Sequence, residues 1–192
     1  MSNAQLLVVG GYATSGKDAF ADILVKELGW YKTYMSKPLE TALLTLNPWI
    51  PLGSASKQNC YWQTYKEVHN TVGYDESKKY PEVRRLLQTL GTEVGRNQFN
   101  EDIWVDLACR EIVEKLKLNH RVVVTGIRYQ NEIDKMRQLG AKTVWVERPG
   151  VLPINAHSSD NTLAKDSFDI LCVNKGNLEE LKNWAFNYFK EF

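Results

Sequence analysis

Apolar residues along the chain follow two periods. Short unbroken runs of β-forming residues, Leu6-Leu7-Val8-Val9, Trp30 to Tyr34, Val122-Val123-Val124-Thr125, Thr143 to Val146 and Phe168 to Val173, predict five strands, the first and third buried on both faces. Between them the spacing turns helical. Ala19, Phe20, Ile23, Leu24 and Leu28 make one stripe, which Gly29 should close. Leu39, Ala42, Leu43 and Leu46 make a second, with Ser36 at the cap, Pro38 in the first turn and a stop at Asn47-Pro48. Val83 to Val94 and Ile103 to Leu116 predict two helices broken around 97–100. Asn131 to Leu139, closed by Gly140, and Leu178 to Phe189 predict two more. From Trp49 to Tyr80 the periodicity is weak, and Gly53, Ser54, Ser56, Gly73 and Pro81 predict an irregular, partly helical excursion. Val151 to Lys165 is polar and reads as a loop. Strands alternating with helices predict an α/β fold of three layers: a five-stranded parallel sheet with helices on both faces and right-handed crossovers.

One stretch carries chemistry. Gly11-Tyr12-Ala13-Thr14-Ser15-Gly16-Lys17-Asp18 lies between the first strand and the first helix, the order that a phosphate-binding loop requires. The backbone between the glycines must turn its N–H groups around a polyphosphate, Gly16 permits close approach, and Lys17 reaches the outer phosphates. A lysine in a first turn opposes the helix dipole unless an anion binds there. Where the common P-loop pattern has Ser or Thr to hold Mg²⁺, this chain has Asp18, an anion beside phosphates, which is reasonable if a cation or its water lies between them. A nucleotide is therefore the expected ligand, with Asp18 helping to hold the metal. Elsewhere Arg128 follows the strand that ends at Thr125, at the sheet edge where α/β folds bind ligands, and Arg148 follows the next strand. Arg85 and Gln88 are one helical turn apart beside Arg84, a spacing that suits either a cleft or a solvated face.

Composition narrows the partners. The 192 residues are 43% hydrophobic, enough for one domain with a full core. With 24 Lys plus Arg against 23 Asp plus Glu, the net charge of +1 supports neither a nucleic-acid footprint nor a polybasic membrane anchor, so the expected partners are small molecules. Cys60, Cys109 and Cys172 have no CxxC spacing, which argues against a disulfide framework and a zinc site. Met1 to Gln5 carry no basic region ahead of an apolar core and no run approaches a membrane span, so a cytoplasmic protein is expected. Monomer and homodimer are both compatible with the chain.

Four separated segments in one order resemble the bacteriophage-type deoxynucleoside monophosphate kinases: Ser15-Gly16-Lys17-Asp18; Val83-Arg84-Arg85-Leu86-Leu87-Gln88-Thr89-Leu90-Gly91-Thr92-Glu93 with Trp104-Val105; Gly126-Ile127-Arg128 through Asn131-Glu132 to Glu147-Arg148-Pro149-Gly150; and His157 with Asp160, then Asn174, Leu178, Glu179, Glu180 and Leu181. The resemblance implies a P-loop kinase fold, host cytoplasm as location, and transfer of a phosphoryl group from ATP, with Mg²⁺, to a deoxynucleoside 5′-monophosphate. It implies that Gly11, Thr14, Ser15, Gly16, Lys17, Asp18 and Ala19 hold the donor, with Arg148 on the lid or ATP side. Arg84 or Arg85, Gln88 and Trp104 would line the acceptor site, and Arg128 would bridge the acceptor and the moving phosphate. By analogy with nucleoside monophosphate kinases, the excursion at about 47–118 would be the acceptor-binding section and about 148–165 the lid of one domain spanning 1–192. Three positions depart from the family's pattern: Ala19 for threonine, Gly126 for aspartate and Asp160 for glutamate. Another small-acceptor P-loop kinase, such as a dephospho-coenzyme A or sugar-acid kinase, and a non-catalytic nucleotide-binding module are the alternatives.

Overall fold

In the computed structural model, residues 5–53, 61–151 and 163–190 are described. Among them the chain forms two compact units, Met1–Met35 with Val105–Phe192, and Ser36–Trp104.

The first unit holds the predicted sheet. Its strands are β1 (Leu6–Gly10), β2 (Tyr31–Tyr34), β5 (Val122–Thr125), β6 (Lys142–Glu147) and β7 (Ile170–Val173), with β3 and β4 lying in the other unit. The order is β2-β5-β1-β6-β7 and every pairing is parallel, with Leu6–Val8 in register against Val122–Val124. Central β1 and β5 are buried on both sides, which is why their sequences are continuous apolar runs rather than alternating ones. Leu7, Val9, Val123, Val144, Val146 and Cys172 face one core, closed by α1 (Lys17–Leu28) and α7 (Leu178–Phe189). Leu6, Val8, Val122 and Val124 face a second, closed by α5 (Ile103–Lys117) and α6 (Gln130–Gln138). The result is the three-layer α/β arrangement expected. Phe20 and Phe189 are fully buried and meet edge to face at 6.0 Å, so each contributes about 1.5–3 kcal/mol of transfer energy to the α1–α7 layer.

The last strand is shorter at its start than its composition predicts. Lys165–Ser167 is a 3₁₀ turn, and Asp169 leaves the strand pattern to accept hydrogen bonds from the Thr143 backbone N–H (2.8 Å) and hydroxyl (3.0 Å). A side chain that satisfies a neighbouring strand's donors takes the place of the first ladder bonds.

The second unit is α2 (Lys37–Leu46), β3 (Trp49–Leu52), β4 (Tyr61–Thr64), α3 (Tyr65–Ser77), α4 (Pro81–Gln88) and a π-helical stretch, Thr89–Phe99. Leu43, Ile50, Leu52, Tyr65, Val68, Val83 and Leu87 form its core. The segment expected to be irregular is thus an antiparallel hairpin followed by a helix kinked at Gly73. Two four-residue strands, one containing Pro51, are too short for an alternating pattern to stand out. Thr64 supplies the capping box that starts α3, its hydroxyl accepting from the Glu67 N–H while the Glu67 carboxylate accepts from the Thr64 N–H at 2.7 Å. Ser36 holds the predicted cap position of α2, but its hydroxyl instead accepts from the Tyr74 hydroxyl at 3.2 Å. Among the described residues no helix is long and apolar enough to cross a membrane.

Candidate active site

The loop from Gly11 to Asp18 leaves the carboxyl end of β1 and winds directly into α1. The Ser15 N–H donates to the Tyr12 carbonyl at 3.1 Å, which folds the loop back on itself. Thr14 is held at φ 64 and Gly16 at φ 97, so two residues take the left-handed backbone region within one turn. For Thr14 this is strained; for Gly16 it is permitted, and a β-carbon there would lie 2.5 Å from the Asn174 amide nitrogen. A β-carbon on Gly11 would lie 2.5 Å from the Val146 carbonyl oxygen. The loop is therefore a cradle with no room for side chains at its glycines. Ser15 is 1% exposed, and its hydroxyl has no hydrogen-bond partner among the described residues.

At the mouth of this cradle, the Lys17 ammonium lies 3.3 Å from the Asp18 carboxylate. Lys17 is largely covered, at 22% side-chain exposure, whereas Asp18 is open at 62%. The first-turn N–H groups of a helix have no acceptor within it, and the dipole adds about half a positive charge. Together with one ammonium group, this donor set suits a polyphosphate. The single exposed carboxylate suits a hard cation that takes its remaining oxygens from phosphate and water. Among the described residues no cluster of three or more His, Cys, Asp or Glu offers a metal cage.

Because every strand of this sheet is parallel, the ends of β1, β5 and β6 share one edge. Arg128 is exposed in the turn after β5, and Arg148 is exposed after β6. The turn before Arg128 passes through Gly126 at φ 76, a conformation that glycine takes without strain. Glu132, 5% exposed in the first turn of α6, accepts from the backbone N–H of Arg128 at 2.7 Å and of Tyr129 at 3.1 Å. It fixes the base from which the Arg128 side chain extends. Lys165 and Glu147, on the two sides of the predicted lid, meet at 3.1 Å. His157, Asp160 and most of that lid lie outside the described residues.

In the second unit Arg84, Arg85 and Gln88 are exposed on α4. Arg85 grips Glu82 with two nitrogens, at 2.9 and 2.7 Å, and this hydrogen bond holds the Glu82 carboxyl below its ordinary range. Arg84 donates from Nε to the Lys78 carbonyl at 3.4 Å. Trp104 is half-buried: its indole N–H donates to the Gly91 carbonyl at 2.8 Å, and a β-carbon on Gly95 would sit 2.7 Å from its ring. Trp104 is thus gripped by the π-helical stretch.

Two residues have roles that spacing did not reveal. Asn174, 8% exposed at the end of β7, donates from its side-chain amide to the Ser15 carbonyl at 2.9 Å, across 159 positions of sequence. Glu132 serves the Arg128 turn as described. Both stand inside segments that carry the family resemblance, but a long-range contact to backbone leaves no periodic signal.

A family model described as deoxynucleotide monophosphate kinase matches residues 52–184, which excludes the Gly11–Asp18 loop and includes Arg128 and Asn174. The deoxynucleotide monophosphate kinase of Enterobacteria phage T4 is 34% identical over 109 residues, 56% of this chain and 45% of the phage protein. The chain thus spans about half the length of that relative. A protein of Acanthamoeba polyphaga mimivirus is 25% identical over 193 residues, 91% of each chain. In fold, an unliganded sugar kinase from a Janibacter species superposes with a TM-score of 0.50 at 13% identity, over 97% of this chain and 95% of its own. Because the matched model takes in α3 through most of α7, the chain belongs to the deoxynucleotide monophosphate kinase family.

Proposed function

We propose that the protein transfers a phosphoryl group from ATP to a deoxynucleoside 5′-monophosphate, giving the diphosphate. The observation that carries this reading is the glycine cradle opening α1, with its crowded Gly11 and Gly16 and with Lys17 at the mouth. Phosphoryl transfer demands little covalent work from a protein; it needs the reactants in line, water excluded and spreading negative charge neutralised. The loop amides of Thr14 to Ala19 hold the donor's phosphates, and Lys17 neutralises charge on the outer ones. Asp18 holds Mg²⁺, which when bound neutralises charge across the donor phosphates. Arg128 clamps phosphate oxygens with a planar fork that lysine cannot imitate, and Arg148 serves the donor side. In the Ser36–Trp104 unit, Arg84 or Arg85 with Gln88 and Trp104 take the acceptor. The Arg85–Glu82 grip does not stand in the way, since an exposed pair one helical turn apart is screened by water and easily exchanged for another anion. No side chain is assigned as general base, because an acceptor phosphate is already an anion near neutral pH. On this reading the protein works in the cytoplasm. A coupled ADP-release assay against each deoxy- and ribonucleoside monophosphate tests the proposal: ADP release that depends on a deoxynucleoside monophosphate supports it, and release with none of them contradicts it.

A further inference from the structure

Asn174 is hydrogen-bonded in three directions. Its backbone N–H donates to the Glu147 carbonyl at the end of β6 (2.7 Å), its side-chain nitrogen donates to the Ser15 carbonyl (2.9 Å), and its side-chain oxygen accepts from the Gly176 N–H (3.3 Å). The last two contacts together fix which way its amide points. The residue is 8% exposed, and the side-chain nitrogen fills the space that a β-carbon on Gly16 would need. Gly16 sits at φ 97, a conformation that glycine takes without strain but that its own backbone freedom does not impose, so an outside contact can decide which conformer the loop keeps.

Ser15 and Gly16 share one trans peptide plane, in which C=O and N–H point in opposite directions. With the Ser15 carbonyl drawn toward Asn174, the Gly16 N–H is turned away from Asn174. We propose that Asn174 is a positioning residue of the phosphate loop: by holding the Ser15 carbonyl it presets the Gly16 amide for an incoming polyphosphate, so that the loop does not have to reorganise when the nucleotide binds. This inference rests on the reading of the loop as a nucleotide cradle. It assigns the turn after β7 a task on the opposite side of the sequence. It also explains why that turn is tied to the end of β6: the Glu147 carbonyl contact fixes Asn174 before Asn174 fixes the loop.

Asn174→Asp keeps the shape but replaces the donor with a carboxylate that faces a carbonyl oxygen. Protonation of that carboxyl restores a donor, so the defect should depend on pH. The test is calorimetric binding of Mg-ATP to the unaltered protein, Lys17→Ala, Asn174→Asp and Asn174→Ala. The expected result at pH 8 is a loss of about tenfold in affinity for both Asn174 variants, the cost of leaving a buried carbonyl unpaired. Between pH 8 and pH 5, Asn174→Asp should recover toward the unaltered protein measured at the same pH, and Asn174→Ala should not. In the unaltered protein, hydrogen exchange at the Gly16 amide should slow when ATP is added, a readout that needs no variant to fold. If Lys17→Ala loses ATP while both Asn174 variants bind within twofold of the unaltered protein, or if Gly16 exchange is unchanged by ATP, the positioning role is overturned and the cradle stands. If the unaltered protein does not bind ATP, the functional reading falls and this inference falls with it.

Discussion

Lys17 and Asp18 are adjacent in sequence and their charges stand 3.3 Å apart, yet they are asked to do opposite things. An ion pair with one partner as open as Asp18 is worth about 1 kcal/mol, so a polyphosphate entering the loop separates it at little cost. Lys17→Ala is expected to lower turnover at least ~10²-fold, the usual scale for removing one preorganised charge from a developing anion, with little change in folding. Steady-state kinetics beside a thermal melt checks this; near-normal turnover would remove Lys17 from the mechanism. Arg128→Lys keeps the charge and loses the fork, and should cost at least ~10-fold in kcat/KM. An equal rate would leave Arg128 as a surface residue. At this scale the sequence was most informative where a charge follows a recognisable loop, as Lys17 follows the turn from Gly11 to Gly16 at the start of α1. It was least informative where a residue acts on backbone, as Glu132 does on Arg128 and Asn174 does on Ser15.

Elements built on long apolar runs were legible, because burial on both faces leaves no other arrangement for β1 and β5. The π-helical stretch Thr89–Phe99 was not, since its apolar stripe continues that of α4 and only the bonding changes, as in the Asn100 N–H to Gly95 carbonyl bond at 3.1 Å. Its widened turn takes in the Trp104 ring beside Gly95, where a β-carbon would lie 2.7 Å from the indole and 2.8 Å from the Leu90 carbonyl. Gly95→Ala should therefore destabilise the fold by about 1–3 kcal/mol, as overpacking does. Urea unfolding measures it, and an unchanged midpoint would show that the slot can yield. The entry to β7 carries a pH signature. Burial alone would raise the Asp169 carboxyl, but the Thr143 N–H and hydroxyl, with Arg137 and Lys142, outweigh it and hold the group below its ordinary value. A folded value below the unfolded one means that the unfolded chain takes up the proton first as pH falls. The stabilisation is therefore present above the ordinary aspartate range, near 4, and disappears as pH falls through it toward the folded value. The melting temperatures of the unaltered protein and of Asp169→Asn should converge between pH 7 and pH 3. A gap that stays constant would contradict this.

At the scale of the molecule, the sheet unit carries the Gly11–Asp18 loop and two arginines at its carboxyl edge, and the Ser36–Trp104 unit carries the other polar residues that the family resemblance singles out. The alternation of strands and helices made the first legible. The second was obscured by its short hairpin and by a helix that restarts after Gly73, so its boundaries emerge only from packing. A ligand that binds the folded state at ~100 times its dissociation constant adds about 2.7 kcal/mol, so ATP should raise the melting temperature by several degrees. The most direct measurement of the central claim is ADP release by the purified chain with ATP, Mg²⁺ and each nucleoside monophosphate in turn. Release that requires a deoxynucleoside monophosphate, and that falls at least ~10²-fold in Lys17→Ala, is the predicted result. Tight ATP binding with no transfer to any monophosphate would contradict it.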